Sequence, residues 1–196
     1  MTPYTFLFIG RSGCGKGTQA ELLIKWLKKN DPARKIFTLE TGARFREFIK
    51  GKNYSHELSR KIYESGGLQP EFLVISIWSA AFIEGLQSNE HIVLDGTPRR
   101  PAEAPILDSA FKFYGRVKPH LVYLNVSREW AEARLAGRKR ADDKASEVKA
   151  RLDWFDTEVA KTIDFFRNNP DYEFLDVNGE QTVQNVHEDI LKNLEL

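Results

Sequence analysis

Residues 6 to 19 read Phe-Leu-Phe-Ile-Gly-Arg-Ser-Gly-Cys-Gly-Lys-Gly-Thr-Gln: an apolar run, a turn with glycine at positions 10, 13, 15 and 17, and a lysine that opens a helix-forming stretch. Glycines this close let the backbone wrap near an anion with its N–H groups pointing inward. The helix expected over Lys16–Lys29 aims its unpaired N-terminal N–H groups and the positive end of its dipole at the same point. Lys16 adds a mobile full charge. A strand, a glycine turn and a helix in that order predict a cradle for a polyphosphate such as ATP. The strict form G-x-x-x-x-G-K-S/T puts a hydroxyl directly after the lysine, whereas Gly17 stands there in this chain and Thr18 follows one place later.

The 196 residues, 41% of them hydrophobic, fit a single domain with room for mobile inserts and a substantial core. A formal net charge of +1 argues against a general binder of nucleic acid or membrane surfaces, which concentrates basic charge. No apolar run approaches the roughly 18 to 20 residues of a membrane span. The chain also enters a strand directly, without a basic lead or cleavage site, so a cytoplasmic protein is expected. Cys14, the one cysteine, excludes an internal disulfide and a cysteine-cluster metal site.

Apolar runs at Tyr4–Ile9, Lys35–Leu39, His91–Asp95, His120–Val126 and Tyr172–Val177, with helix-length segments between them, predict an α/β fold with a parallel sheet flanked by helices. Between Ser146 and Phe166 the residues Val148, Leu152, Phe155, Val159, Ile163 and Phe166 recur at three and four, which predicts one long helix with a single buried stripe. The segment Glu71–Leu86 is apolar nearly all round and reads as a core helix. Trp78 and Trp154 read as packing residues, with cofactor stacking as the lesser alternative. His56, His91, His120 and His187 lack ligand spacing and are expected in bland surface or strand-edge positions.

Further signals concern phosphate and metal. Asp95 ends a strand and is followed by Gly96-Thr97-Pro98-Arg99, a position from which an acid can hold the water shell of Mg²⁺ beside a phosphate loop. Thr41-Gly42-Ala43-Arg44-Phe45-Arg46 sits at an expected helix start, where threonine can cap or touch a ligand and arginine can fork onto phosphate. Arg134 and Arg138 share a helix face at i, i+4, with Arg140 and Arg151 downstream. Phosphoryl transfer asks mainly for alignment and neutralisation of spread charge, so a chain with arginines placed in this way suits it.

The motifs Gly-x-x-Gly-x-Gly-Lys-Gly-Thr-Gln, Thr-Gly-x-x-x-Arg, Asp-Gly-x-Pro-Arg and Arg-x-Asp-Asp follow one another in this order, and with them the chain resembles the adenylate kinase family of nucleoside monophosphate kinases over nearly its whole length. The resemblance implies a P-loop NTPase fold with three αβα layers, a five-stranded parallel sheet, a helical monophosphate-binding insert at about 40–70 and a very short lid at about 138–144. The core would then comprise 1–39, 71–137 and 145–196. It implies reversible transfer of the γ-phosphoryl group of MgATP to a nucleoside monophosphate, AMP in the first place. Gly13, Cys14, Gly15, Lys16, Gly17 and Thr18 would cradle ATP, with Arg134 near adenine, Arg138 on the phosphates and the backbone of Gln181 near the base. Thr41, Gly42, Arg46, Gly67, Leu68, Gln69, Gly96, Thr97, Pro98, Arg99 and Glu103 would surround the monophosphate. Arg140 and Arg151 would bridge the two nucleotides, so Lys16, Arg99, Arg138, Arg140 and Arg151 form the expected catalytic set. Asp95, and Thr18 beside it, would hold Mg²⁺ through water. No structural zinc is expected, because the four-cysteine lid of some relatives is lacking. A monomer is expected of a protein with two moving flaps.

Three departures qualify the resemblance. Glu40 and Ala43 flank Thr41-Gly42 where the family commonly has Ser and Asp, and Thr97 stands in place of phenylalanine. Glu103 stands where adenylate kinases resemble one another in carrying glutamine; an ionised carboxylate only accepts hydrogen bonds, which leaves GMP or CMP open as the acceptor. The very short lid predicts some ATP hydrolysis without acceptor. Two rival readings, a kinase of a non-nucleotide metabolite and a nucleotide-binding protein without transfer activity, stand against the four motifs together.

Overall fold

The computed structural model describes residues 3–137 and 145–194. Among them five parallel strands form one sheet: β1 (Thr5–Gly10), β2 (Ile36–Glu40), β3 (His91–Asp95), β4 (His120–Asn125) and β5 (Glu173–Asn178), in the spatial order β2-β3-β1-β4-β5. Each begins or ends within a residue of its expected place. Side chains alternate across the sheet and both faces are covered, which is why β1 is apolar from Phe6 to Ile9. Leu7 and Ile9 join Leu94 and Leu121 on one face, and Phe6 and Phe8 join Val93 and Val122 on the other.

Helices cover both faces. The Phe6 face carries α1 (Lys16–Asn30), α6 (Arg128–Ala136) and α9 (Val183–Asn193) through Leu23, Leu27, Ala131, Leu135, Val186 and Ile190. The Leu7 face carries α4 (Glu71–Gly85) and α5 (Glu103–Phe113) through Trp78, Phe82, Leu107 and Phe111. Helix α4 is not buried all round: Val74, Trp78 and Phe82 face the core, while Phe72 and Ile83 stand 73% and 76% exposed. Helices α2 (Thr41–Phe48) and α3 (Tyr54–Glu64) stand between β2 and α4. A reciprocal cap starts α3, with Asn53 Oδ1 accepting the His56 N–H at 3.0 Å and His56 Nδ1 accepting the Asn53 N–H at 3.2 Å.

The stretch predicted as one long helix is interrupted. Helix α7 (Ala145–Trp154) passes into a π-turn at Phe155–Val159, where the Ala160 N–H reaches the Phe155 carbonyl, and then into α8 (Ala160–Arg167). Leu152, Phe155, Val159, Ile163 and Phe166 are all buried as expected. The four-residue step from 155 to 159 suits the wider turn as well as an α-turn, so periodicity alone could not reveal it. His91 also departs from expectation: it lies inside the sheet, its Nδ1 accepting the Tyr4 N–H at 3.0 Å.

Candidate active site

Strand order reverses at β1, between β3 and β4, and the carboxyl ends of β1 and β3 open there into a cleft of about 700 Å³. Open parallel sheets bind ligands at such a switch point because the helices leaving to opposite faces part there. The glycine turn between β1 and α1 forms the floor. Gly15, at φ +99°, precedes α1 in a left-handed conformation, and a Cβ built on it would meet nothing within 4 Å. The backbone is thus shaped as only glycine readily allows, and it faces open space large enough for an anion. Lys16 Nζ folds over this turn, donating to the carbonyls of Gly10 at 2.7 Å and Arg11 at 2.8 Å, with Cys14 Sγ at 3.5 Å. Gly13, Gly17 and Thr18 also line the cleft. Cys14 points away into the core under α1.

The facing wall is rich in arginine. Arg46 on α2 pairs with Glu40 at 2.7 Å, beside Thr41 and Gly42 at the start of that helix. Arg99 donates from Nε to the Gly96 carbonyl at 2.7 Å and lies 5.5 Å above the Trp154 ring. Arg151 on α7 and Arg134 on α6 complete the rim, the latter stacked 4.8 Å over Trp130. Burial works against the charge of Arg99, supported by Glu103 and Asp95 and opposed by Arg151 and Arg46. Cations converging where burial penalises them make a place that an anion would stabilise.

Gly67, Leu68, Gly96 and Pro98 line this wall too. Gln69 reaches the cleft, but its amide is committed to α3: Oε1 accepts from the Ser59 hydroxyl and Nε2 donates to the Ser59 carbonyl, both at 2.9 Å. Glu103 is buried at the head of α5, with Oε2 accepting the Arg99 N–H at 3.1 Å and the Thr97 hydroxyl at 3.4 Å. Burial raises its pKa against the pull of those bonds. Thr97 is fully buried and supports Glu103 without lining the cleft. Gln181 is also away from the cleft wall, its Nε2 donating to the Asn178 carbonyl at 3.0 Å and to Asp189 at 2.8 Å. Arg138, Arg140 and the rest of the expected lid lie outside the described residues.

Sequence reasoning missed several wall residues, among them Tyr63, Glu147 and Trp154. Trp154, read chiefly as packing, is half in the core and half in the wall, and its Nε1 donates to the Gly66 carbonyl at 3.0 Å. A Cβ on Gly66 would stand 2.7 Å from the Glu147 backbone, so the turn before Gly67 and α7 touch directly. The Gly66-Gly67 pair was the available signal, since adjacent glycines mark close backbone approach.

The family model for adenylate kinase matches residues 8–170. The chain belongs to the adenylate kinase family. "Adenylate kinase" of Leptospira biflexa is 30% identical over 192 residues, covering 96% of this chain and 98% of its own. "Adenylate kinase 1" of Nostoc sp. is 27% identical over 188 residues, covering 96% and 97%. "Adenylate kinase" of Oenococcus oeni is 25% identical over 178 residues, covering 90% and 91%. The adenylate kinase fold, a P-loop sheet with helices on both faces, is the one described above. Among the described residues no helix is long and apolar enough to cross a membrane, and no group of three or more His, Cys, Asp or Glu is placed to hold a metal ion.

Proposed function

We propose that this chain transfers the γ-phosphoryl group of MgATP to AMP, giving two molecules of ADP. The observation that carries the reading is one cleft with two chemically distinct ends: the glycine turn with Lys16 on one side, and Arg46, Arg99 and Arg151 on the other. A polyphosphate on the turn and a monophosphate on the arginines meet tail to tail. An oxygen of the AMP phosphate attacks the γ-phosphorus in line, the bond to the β-phosphate oxygen breaks, and ADP leaves. Lys16 swings from its carbonyl partners to the transferring group, while Arg99 and Arg151 neutralise the charge spread over its oxygens. Holding both reactants in one enclosure also replaces a bimolecular encounter with an effectively unimolecular step.

The hard-oxygen donors at this end of β3 suit magnesium. Asp95 and Thr18 both line the cleft, and Asp95 Oδ2 lies 3.4 Å from where a Cβ on Gly17 would stand, so the missing side chain after Lys16 leaves room beside this acid. They would hold the ion through water. Its contribution when bound is to screen the β- and γ-phosphate charges.

AMP as acceptor is supported by the relatives' names. Glu103 lines the cleft and burial raises its pKa; a protonated carboxyl there would donate and accept as the adenine edge needs, whereas an ionised one would suit guanine or cytosine. Coupled assay of ADP formation with AMP, GMP, CMP and UMP, wild type against Lys16→Ala, tests the proposal. AMP is expected to be turned over fastest, with near-complete loss in the variant. Absence of transfer to every monophosphate would refute it, and full activity in Lys16→Ala would remove Lys16 from the mechanism.

A further inference from the structure

Arg11 follows the first glycine of the turn, and its side chain points away from the cleft. Its guanidinium lies 4.3 Å above the Phe155 ring, its Nη1 is 2.6 Å from Asp156 Oδ1, and its Nε donates to the Val126 carbonyl at 3.1 Å. Phe155 and Asp156 are the first residues of the π-turn, which directly follows Trp154. Asp156 is shared, because Arg128 at the head of α6 reaches it at 3.2 Å while also meeting Asp153 at 2.6 Å. One cation from the phosphate loop thus fastens the loop, the end of β4 and the wide turn together. The backbone of the same residue takes part, since the Arg11 carbonyl receives Lys16 Nζ.

We propose that Arg11 is a positioning residue, which locks the phosphate loop to the π-turn and so sets Lys16 on one side of the cleft in register with Arg151, Trp154 and Arg99 on the other. A π-turn holds its widened ring only where tertiary contacts favour it over the tighter α-turn. Stacking and ion pairing by Arg11 on its first two residues supply such contacts. Trp154 then carries the constraint onward, to Arg99 by stacking and to the turn at Gly66 by its hydrogen bond. Lysine cannot replace this arginine: a point charge can meet Asp156 but cannot also lie flat on Phe155 and donate to Val126.

The inference rests on the kinase reading above and is tested on the intact chain with Arg11→Lys, Arg11→Met and Asp156→Asn, assayed for ADP formation from MgATP and AMP. Asp156 is partly exposed, so its variant removes the tie without opening the core. Arg11→Met and Asp156→Asn are each expected to lower kcat about tenfold, with KM for MgATP within about twofold of wild type. The double variant should lose less than the product of the two single losses, because both remove the Arg11–Asp156 pair, although the Asp156 variant also loosens Arg128. Arg11→Lys should recover part of the thermal stability but little of kcat. Wild-type kcat in either Met or Asn variant, losses that multiply in the double variant, or losses confined to KM would overturn the assignment, as would full recovery of kcat by lysine. Inactivity of the wild type toward every monophosphate would instead count against the kinase reading, which keeps the two failures apart.

Discussion

The two sides of the cleft are built differently. The phosphate loop hangs from β1, whose Phe6, Leu7 and Phe8 are wholly buried, between strands β3 and β4 and under helices on both faces. Its shape is fixed by the sheet. The segment 41–64 has little core of its own: α3 buries only Ser59 while Tyr54 and Leu58 are exposed, and α2 buries Thr41 and Phe45. What ties this segment down is polar, with Arg60 donating to the carbonyls of Ile49 and Gly51 at 2.6 to 2.9 Å and Ser59 bonded to Gln69. Apolar burial contributes a cooperative free energy to the whole domain, whereas a few local hydrogen bonds let a segment open by itself. On the proposed reading the loop side, which would take the donor, is held by the core, and the 41–64 side, which would take the acceptor, is held by local bonds, an arrangement that would suit closure on a second substrate.

The largest expected effect lies on the donor side and concerns chemistry. Lys16→Ala should lower kcat by about a hundred- to a thousandfold, the scale set by removing one preorganised charge donor, while KM for AMP stays within about threefold. A comparable rise in KM for AMP would mean that the two sides are not separable. Next comes stability: Leu7→Ala should cost roughly 3 kcal/mol, read as a lower denaturation midpoint in a single transition that takes β1 and α3 together.

Gln69→Ala should cost about 2 kcal/mol, but locally, since it strands the buried Ser59 hydroxyl. Hydrogen exchange should quicken across 41–64 and leave β1 protected, and KM should rise for AMP more than for MgATP. Equal acceleration in β1 would break the contrast. The smallest effect is at the junction. The folded-state pKa of Glu103 is raised, so the stability it lends is complete below the ordinary carboxylate range and fades as pH rises through the raised value. Glu103→Gln escapes that loss, and its melting temperature should exceed wild type at pH 8, the difference shrinking toward pH 4. A difference independent of pH would show that Glu103 is not protonated more readily in the folded protein.

Most of the donor side was legible because its signals are local. Glycine spacing, the lysine and the helix that follows are consequences of neighbouring backbone conformations, and the strands declared themselves as apolar runs. The acceptor side was legible only as positions. Thr41, Arg46, Arg99 and Glu103 do line the cleft, yet nothing in their motifs told that Gln69 would turn its amide to Ser59 or that Thr97 would be buried behind Glu103. Adjacent residues in a motif point in different directions, and Cys14, between two cleft-lining glycines, turns into the core.

By itself the sequence determined the parallel α/β class, the phosphate turn and the family, since each follows from patterns a few residues long. Only the tertiary structure decided the π-turn, the place of Trp154 between Arg99 and Gly66, and the seat of Arg11 on Phe155. Those contacts join residues more than fifty positions apart, and a four-residue apolar step reads the same whether the turn between its ends is α or π. Which of the two forms depends on what packs against it.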